Sequence, residues 1–285
     1  MIITGAAAGL AAAFNTPLGG VVFAVEELSK THIRFFRTSV FTSVIIAGVT
    51  AQGILGSYLY LGYADVSKVS YTMLGPVLLV SATIGIAGAF SGALMLRIMR
   101  WKSTFSFKWQ SYLYLAVVAI LIVLAALFID PVILGSGKET MNSLLFQAEK
   151  HPAWTEPVLR FIGPILSFTV GSAGGIFAPA LSSGAAIAAW LSQWFNLTNG
   201  ETNLLILTGM IAFLTGITRT PFTAAILVLE MTDRHSVIFY LLAAGIIANS
   251  AAGIVSRHSF YEYLKVQYMR EAKKEEKPQQ PPLPV

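Results

Sequence analysis

Two stretches decide the architecture: GAAAGLAAAFNTPLGGVVFAVE at Gly5–Glu26 and GMIAFLTGITRTPFTAAILVLE at Gly209–Glu230. In both, the proline follows the glycine by twelve positions and the glutamate follows the proline by nine. Ala8/Ala212, Leu10/Leu214 and Thr16/Thr220 also match. Each copy is apolar and broken near its middle, at Asn15-Thr16-Pro17 and at Arg219-Thr220-Pro221. At 1.5 Å per residue the pieces are expected to fall short of a hydrocarbon core roughly 30 Å thick. Short, proline-interrupted apolar segments belong inside a bundle, where other protein satisfies the loosened backbone.

The composition around this repeat is that of a membrane protein. Of the 285 residues, 55% are hydrophobic and 12% charged, against about 25% charged in a soluble domain. Cysteine is absent, which excludes disulfides, zinc–thiolate sites, iron–sulfur clusters and cysteine nucleophiles. His32, His151, His235 and His258 show no metal-ligand spacing, and no nucleophile–base pair stands out. An enzyme, a metal and a cofactor are therefore not expected. The net charge of +5 lies in short basic clusters between long apolar runs, the pattern of cytoplasmic loops rather than of a nucleic-acid surface.

Runs of the roughly 20 residues a span requires are Thr38–Tyr63, Tyr71–Met99, Tyr112–Ile129 and Val237–Val255. Val158–Phe195 is nearly twice that length and is interrupted by Gly163-Pro164 and Gly174-Gly175, so it reads as two or more segments. The opening run, Ile2–Val25, lacks the basic leader of a secretory signal. Lys30, Arg34 and Arg37 form one basic cluster and Arg97, Arg100, Lys102 and Lys108 another, with two spans between them. Both are placed in the cytoplasm, with the basic tail from Arg257 onward. The first copy then ends inside at Lys30–Arg37 and the second outside at Asp233–Ser236. Such antiparallel repeats with broken helices are a transporter architecture, with the substrate site at the repeat interface.

Gly174-Gly175-Ile176-Phe177-Ala178-Pro179 lies 35 residues before Gly209 and opens a small-residue helical run, Ala180–Trp190. Glycines let backbone approach a ligand, and free amides at a helix start bind an anion without a formal charge. The alternative is plain packing by small residues. The counterpart of this segment in the first repeat would fall before Met1, so the chain is expected to be an N-terminally truncated or split protein. Glu26 has a repeat partner in Glu230 and is read as structural. Glu27 faces Met231 in the second copy, so symmetry leaves it unexplained. A carboxylate beside another near a membrane interior can carry a proton; the alternative is a helix-end glutamate among headgroups.

Gly5–Leu28, Gly171–Pro179 and Glu230-Met231-Thr232-Asp233, above all Phe14-Asn15-Thr16-Pro17-Leu18-Gly19-Gly20 leading to Glu26-Glu27, resemble the CLC family of chloride channels and chloride/proton exchangers. The resemblance runs from Met1 to about Lys265 and covers roughly the C-terminal two-thirds of a family membrane domain. It implies chloride binding at Gly175 and at the amides of Ile176 and Phe177. The Tyr261 hydroxyl would donate to the same ion, with Tyr263 and an interfacial role as the alternatives. It also implies internal proton transfer at Glu27, where family channels usually carry an apolar residue. Fluoride-selective members carry an asparagine near GGIFAP, so Gly174-Gly175 favours chloride. Gly135-Ser136-Gly137 resembles the family's serine-bearing loop but occupies the second-repeat position, and it is not assigned to the site. Two first-repeat motifs are absent, the serine loop and a GKEGP-type gating loop, so half of the anion coordination would come from a missing N-terminal half.

The resulting expectation is an all-α integral membrane protein, a CLC-type inverted-repeat bundle with broken and half-spanning helices. Residues 1–37 would end the first repeat and 38–63 form its last span. The second repeat would occupy 64–255, with a pathway-lining helix at 256–268 and a disordered cytoplasmic tail at 269–285. The function implied is chloride/proton exchange in a bacterial inner membrane by a homodimer in contact with lipid. A passive channel, an inactive fragment or half transporter, and a non-conducting dimerising regulator are the other readings.

Overall fold

A proline disfavours the α conformation at the residue before it and starts a helix readily at its own position. Both repeat breaks use this. The computed structural model describes residues 2–28, 33–56, 58–66, 69–147, 150–171 and 174–275. Helix α1 (Ile2–Phe14) stops where Asn15 turns left-handed, at φ 54°; Thr16 is non-helical, at φ −128° and ψ 78°, and α2 starts at Pro17 and runs to Phe23. In the second copy α9 (Asn199–Thr218) stops where Arg219 has φ 62°, Thr220 is non-helical, at φ −119° and ψ 77°, and α10 (Pro221–Thr232) starts at the proline. Each left-handed residue is held by its own repeat: Asn15 accepts from Gln52 at 2.8 Å in α3 (Ile33–Leu55), and Arg219 donates to the Asn249 carbonyl in α11 (Ile238–Ala252).

Between the copies lie α4 (Leu74–Lys102), α5 (Lys108–Phe128), α6 (Lys138–Phe146), α7 (Thr155–Thr169) and α8 (Phe177–Ser192); α12 (Phe260–Glu275) follows α11. No strand occurs among the described residues. Helix α9 is the centre of the bundle: 94% of its apolar window is buried, against 6% in α5 and 11% in α3. Helices α4, α8 and α11 pack around it. Small residues allow this approach. A Cβ on Gly184 would collide with the Gly209 carbonyl, and one on Gly216 with the Gly85 carbonyl.

The repeat makes this packing testable, because nothing lies within 4 Å of a Cβ built on Gly5, the partner of Gly209. Gly209→Ala is expected to destabilise by about 1–3 kcal/mol through overpacking. Gly5→Ala should be neutral or stabilise by up to about 1 kcal/mol through helix propensity. Equilibrium unfolding in mixed micelles measures both, and equal effects at the two sites would contradict this packing.

Three expectations are corrected. Helix α9 begins ten residues before Gly209, the start of the second copy, because Thr198 and Glu201 form a reciprocal capping box. With 20 residues it is long and apolar enough to cross a membrane, so the second copy is not built only of short pieces. Gly163-Pro164, read as an interruption, lies inside α7 without ending it, while Val158–Phe195 does form two segments, α7 and α8. The last helix extends to Glu275, past the boundary expected at 268, and residues 276–285 of the expected tail lie outside the described residues, as does Lys30.

The α7–α8 break is shaped from outside. Lys102 at the end of α4 donates to the Thr169 and Val170 carbonyls, both at 2.7 Å, satisfying the last turn of α7 before Gly171 takes φ 92°. Lys102→Met is expected to cost about 1.5–3 kcal/mol, the range for bonds to a charged group. The loss should be recovered largely by Lys102→Arg in the same unfolding measurement.

Candidate functional site

The two repeat glutamates are held in matching ways. Glu230 accepts from the backbone N–H of Leu18 at 3.1 Å and Gly19 at 2.7 Å, the first turn of α2. Glu26 accepts from the N–H of Phe222 at 3.2 Å and Thr223 at 2.7 Å, the first turn of α10, and from the Thr223 hydroxyl at 2.7 Å. Each carboxylate caps the amides at the start of the other copy's helix, where the helix dipole also favours a negative charge. Since each glutamate lies toward the far end of its own segment, α2 and α10 run antiparallel against one another. Neither Glu26 nor Glu230 faces the start of α8.

The copies part company after Phe23. Ala24–Leu28 forms a π-helical turn, whereas the equivalent residues continue α10 as regular α-helix to Thr232. Turns of this kind often mark functional positions. Glu27 sits in it, about nine-tenths buried, and accepts a 2.9 Å bond from the Ser259 hydroxyl at the start of α12. Its repeat partner Met231 is fully buried and meets no such group; its carbonyl accepts from the Leu61 N–H at 3.1 Å.

The start of α8 has no side-chain cap. Ile176 and Phe177 are buried there, and the first amides of a helix have no intrahelical acceptor. Gly174 and Gly175 leave open space where side chains would stand, and with Ile176 and Pro179 they line a cavity of about 100 Å³ bordered on its other side by Pro164, Ser167 and Phe168 of α7. Phe177 and Tyr261 do not line it. They meet instead at Phe23, whose ring centroid is 5.3 Å from Phe177 and 6.4 Å from Tyr261. Phe23 thus joins α2, α8 and α12 four residues before Glu27. Burial, and after it the Glu27 charge, holds the Tyr261 phenol above its ordinary pKa, so it remains a neutral donor.

The chain matches the family described as "Voltage gated chloride channel" across residues 1–253. It belongs to that family. The H(+)/Cl(-) exchange transporter ClcA of Cronobacter sakazakii is 30% identical over 270 residues, covering 85% of this chain and 54% of its own length. The voltage-gated ClC-type chloride channel ClcB of Shigella flexneri is 30% identical over 282 residues, covering 94% of this chain and 65% of its own. This family member therefore spans between about half and two-thirds of the length of these relatives. A slow cyanobacterial Cl-/H+ antiporter superposes with a TM-score of 0.83 at 23% identity, over 94% of this chain and 64% of that one. A CLC-type fluoride/proton antiporter does so at 0.76 and 20% identity, over 91% and 64%. These likenesses show the fold.

Within this family member two site residues escape a reading of the sequence. Phe23 looks like one apolar residue among many, and only the packing of three helices makes it the meeting point. Ser259 carried a legible local signal, the Ser-x-x-Glu spacing to Glu262, which predicts a capping box; nothing in the sequence places it against a residue 232 positions away. Other features lie apart. Gly135-Ser136-Gly137 leads into α6, where Arg160 donates to the Gly135 and Leu134 carbonyls. A larger cavity of about 220 Å³ lies between α4 and the turn before α12, with Arg100, Ser256, His258 and Tyr263, the alternative to Tyr261, in its wall.

Proposed function

We propose that this chain takes part in chloride transport across a membrane in exchange for protons. The observation that carries the reading is the junction at Phe23, where the uncapped start of α8, the Tyr261 ring and the turn bearing Glu27 come together. Chloride would be held by the amides of Ile176 and Phe177, with Gly175 allowing close approach and the Tyr261 hydroxyl donating. Neutral donors suit an ion that must bind and still leave. Glu27, buried and hydrogen-bonded, would carry the proton. The first-repeat half of the coordination would come from residues beyond these 285.

The basic residues at the ends of α4 and α12 support a cytoplasmic C-terminus in a bacterial inner membrane. Exposed apolar side chains on α2, α3, α10 and α11, among them Leu18, Ile45, Phe222 and Ile246, support a homodimer through those helices, with lipid against α5. One relative is named a channel and another an exchanger at the same identity, so a passive chloride pathway is the second reading. Chloride efflux from liposomes containing the purified chain, with external pH recorded at the same time, tests both. Chloride flux with opposing proton movement is expected for exchange. Chloride flux alone favours the passive pathway, and no flux from a folded, dimeric sample rules out transport by this chain without a partner.

A further inference from the structure

Ser259 is fully buried at the start of α12 and holds two helical systems at once. Its hydroxyl donates to Glu27 at 2.9 Å and accepts the Glu262 N–H at 3.1 Å, while the Glu262 carboxylate accepts the Ser259 N–H at 3.1 Å. The residue that begins α12 thus also donates a hydrogen bond to the Glu27 carboxylate. Phe260 and Tyr261 follow it directly; Phe260 is pinned to Phe168 of α7, with ring centroids 5.3 Å apart, so the helix start has little freedom to move independently. Among the described residues, the titratable groups around this contact are Tyr261, which feels the Glu27 charge, Glu262, His258 at 3.2 Å from Glu262, and Glu26, which is engaged on α10.

A hydroxyl has a single proton. While it is given to Glu27, the ionised carboxylate is favoured and Ser259 is locked in one rotamer with its lone pairs toward Glu262. When Glu27 takes up a proton, the carboxyl gains a donor and keeps only a weaker, uncharged acceptor, so the Ser259 hydroxyl is held less firmly and can turn. We propose that Ser259 is a positioning residue that links the protonation state of Glu27 to the start of α12, and through it to the Tyr261 hydroxyl. The link rests on the proposed proton role of Glu27, and it assigns to Ser259 a part beyond capping a helix.

The two roles separate by substitution. Glycine is nearly as good a helix N-cap as serine, so Ser259→Gly keeps α12 and removes the donor, whereas Ser259→Thr keeps both. Infrared difference spectra of the purified chain during a pH titration follow the Glu27 carboxyl band, assigned by its loss in Glu27→Gln, and the Tyr261 ring band, assigned with Tyr261→Phe. In the parent protein both bands should move at one midpoint. In Ser259→Gly the carboxyl midpoint should rise by about one pH unit, as a bond to the charged form is lost, and the Tyr261 band should cease to follow it; Ser259→Thr should behave as the parent. A carboxyl midpoint unchanged in Ser259→Gly overturns the proposal, as does a Tyr261 band that follows Glu27 without Ser259. If Ser259→Gly does not purify as a single species, Ser259→Asp carries the test: it still caps α12, offers Glu27 no proton, and should raise the midpoint further. Repeating the titration in chloride and in gluconate keeps the two readings apart. Bands that respond to Ser259 but not to chloride remove the anion reading and leave the link, and bands that respond to chloride but not to Ser259 do the reverse.

Discussion

Glu27→Gln is expected to abolish proton movement while chloride flux persists in any transport-competent form that contains these residues. Glutamine keeps the shape of the side chain, and its carbonyl can still accept from the Ser259 hydroxyl, which stands 2.9 Å away in the parent protein. It cannot take up and release a proton. Proton flux should fall by about 10²-fold or more, within the range that a positioned acid–base group contributes. Glu26→Gln is the control. That carboxylate is engaged by two amides and a hydroxyl of α10, so its neutralisation should lower stability and leave proton coupling intact. Unchanged proton flux in Glu27→Gln would remove it from the mechanism, and a loss of coupling in both variants would move the role to the pair.

The second large effect is on stability. Glu26→Ala and Glu230→Ala are each expected to cost about 1–3 kcal/mol, because each leaves the first amides of a packed helix without their charged acceptor. The cost should be unequal. Glu26 receives three hydrogen bonds and Glu230 two, the difference being the Thr223 hydroxyl, whose place in the first copy is taken by Gly19. Glu26→Ala should therefore exceed Glu230→Ala by about 1 kcal/mol, and in a Thr223→Val background the two should become equal. The double variant should lose less than the sum, since both caps hold the same pair of helices together and neighbouring sites couple. Unfolding in mixed micelles gives all of these values, and strict additivity of the double variant would show that the caps act on α2 and α10 separately.

Much of the architecture was legible because the repeat is written in residues with strong local preferences. Pro17 and Pro221 cannot continue a helix from upstream and readily begin one, so two broken segments follow from two prolines at matched spacing. The start of α9 is written in the Thr198-x-x-Glu201 box, although the second copy is matched only from Gly209. Pro164 points the other way: a proline inside α7 that does not end it, since Gly163 lets the helix lie close against Ile133 and neighbouring protein satisfies the backbone.

By itself the sequence determined the membrane class, the two matched copies and the singular position of Glu27, all properties of composition and spacing along one chain. Only the tertiary structure decided that Glu26 and Glu230 cap each other's helices, that Phe23 brings α8 and α12 together, and that Ser259 reaches Glu27. Each of these is a contact between residues tens to hundreds of positions apart. Local propensity carries no information about such contacts, because they exist only once antiparallel helices have packed and their orphan amides and hydroxyls must find partners away from water.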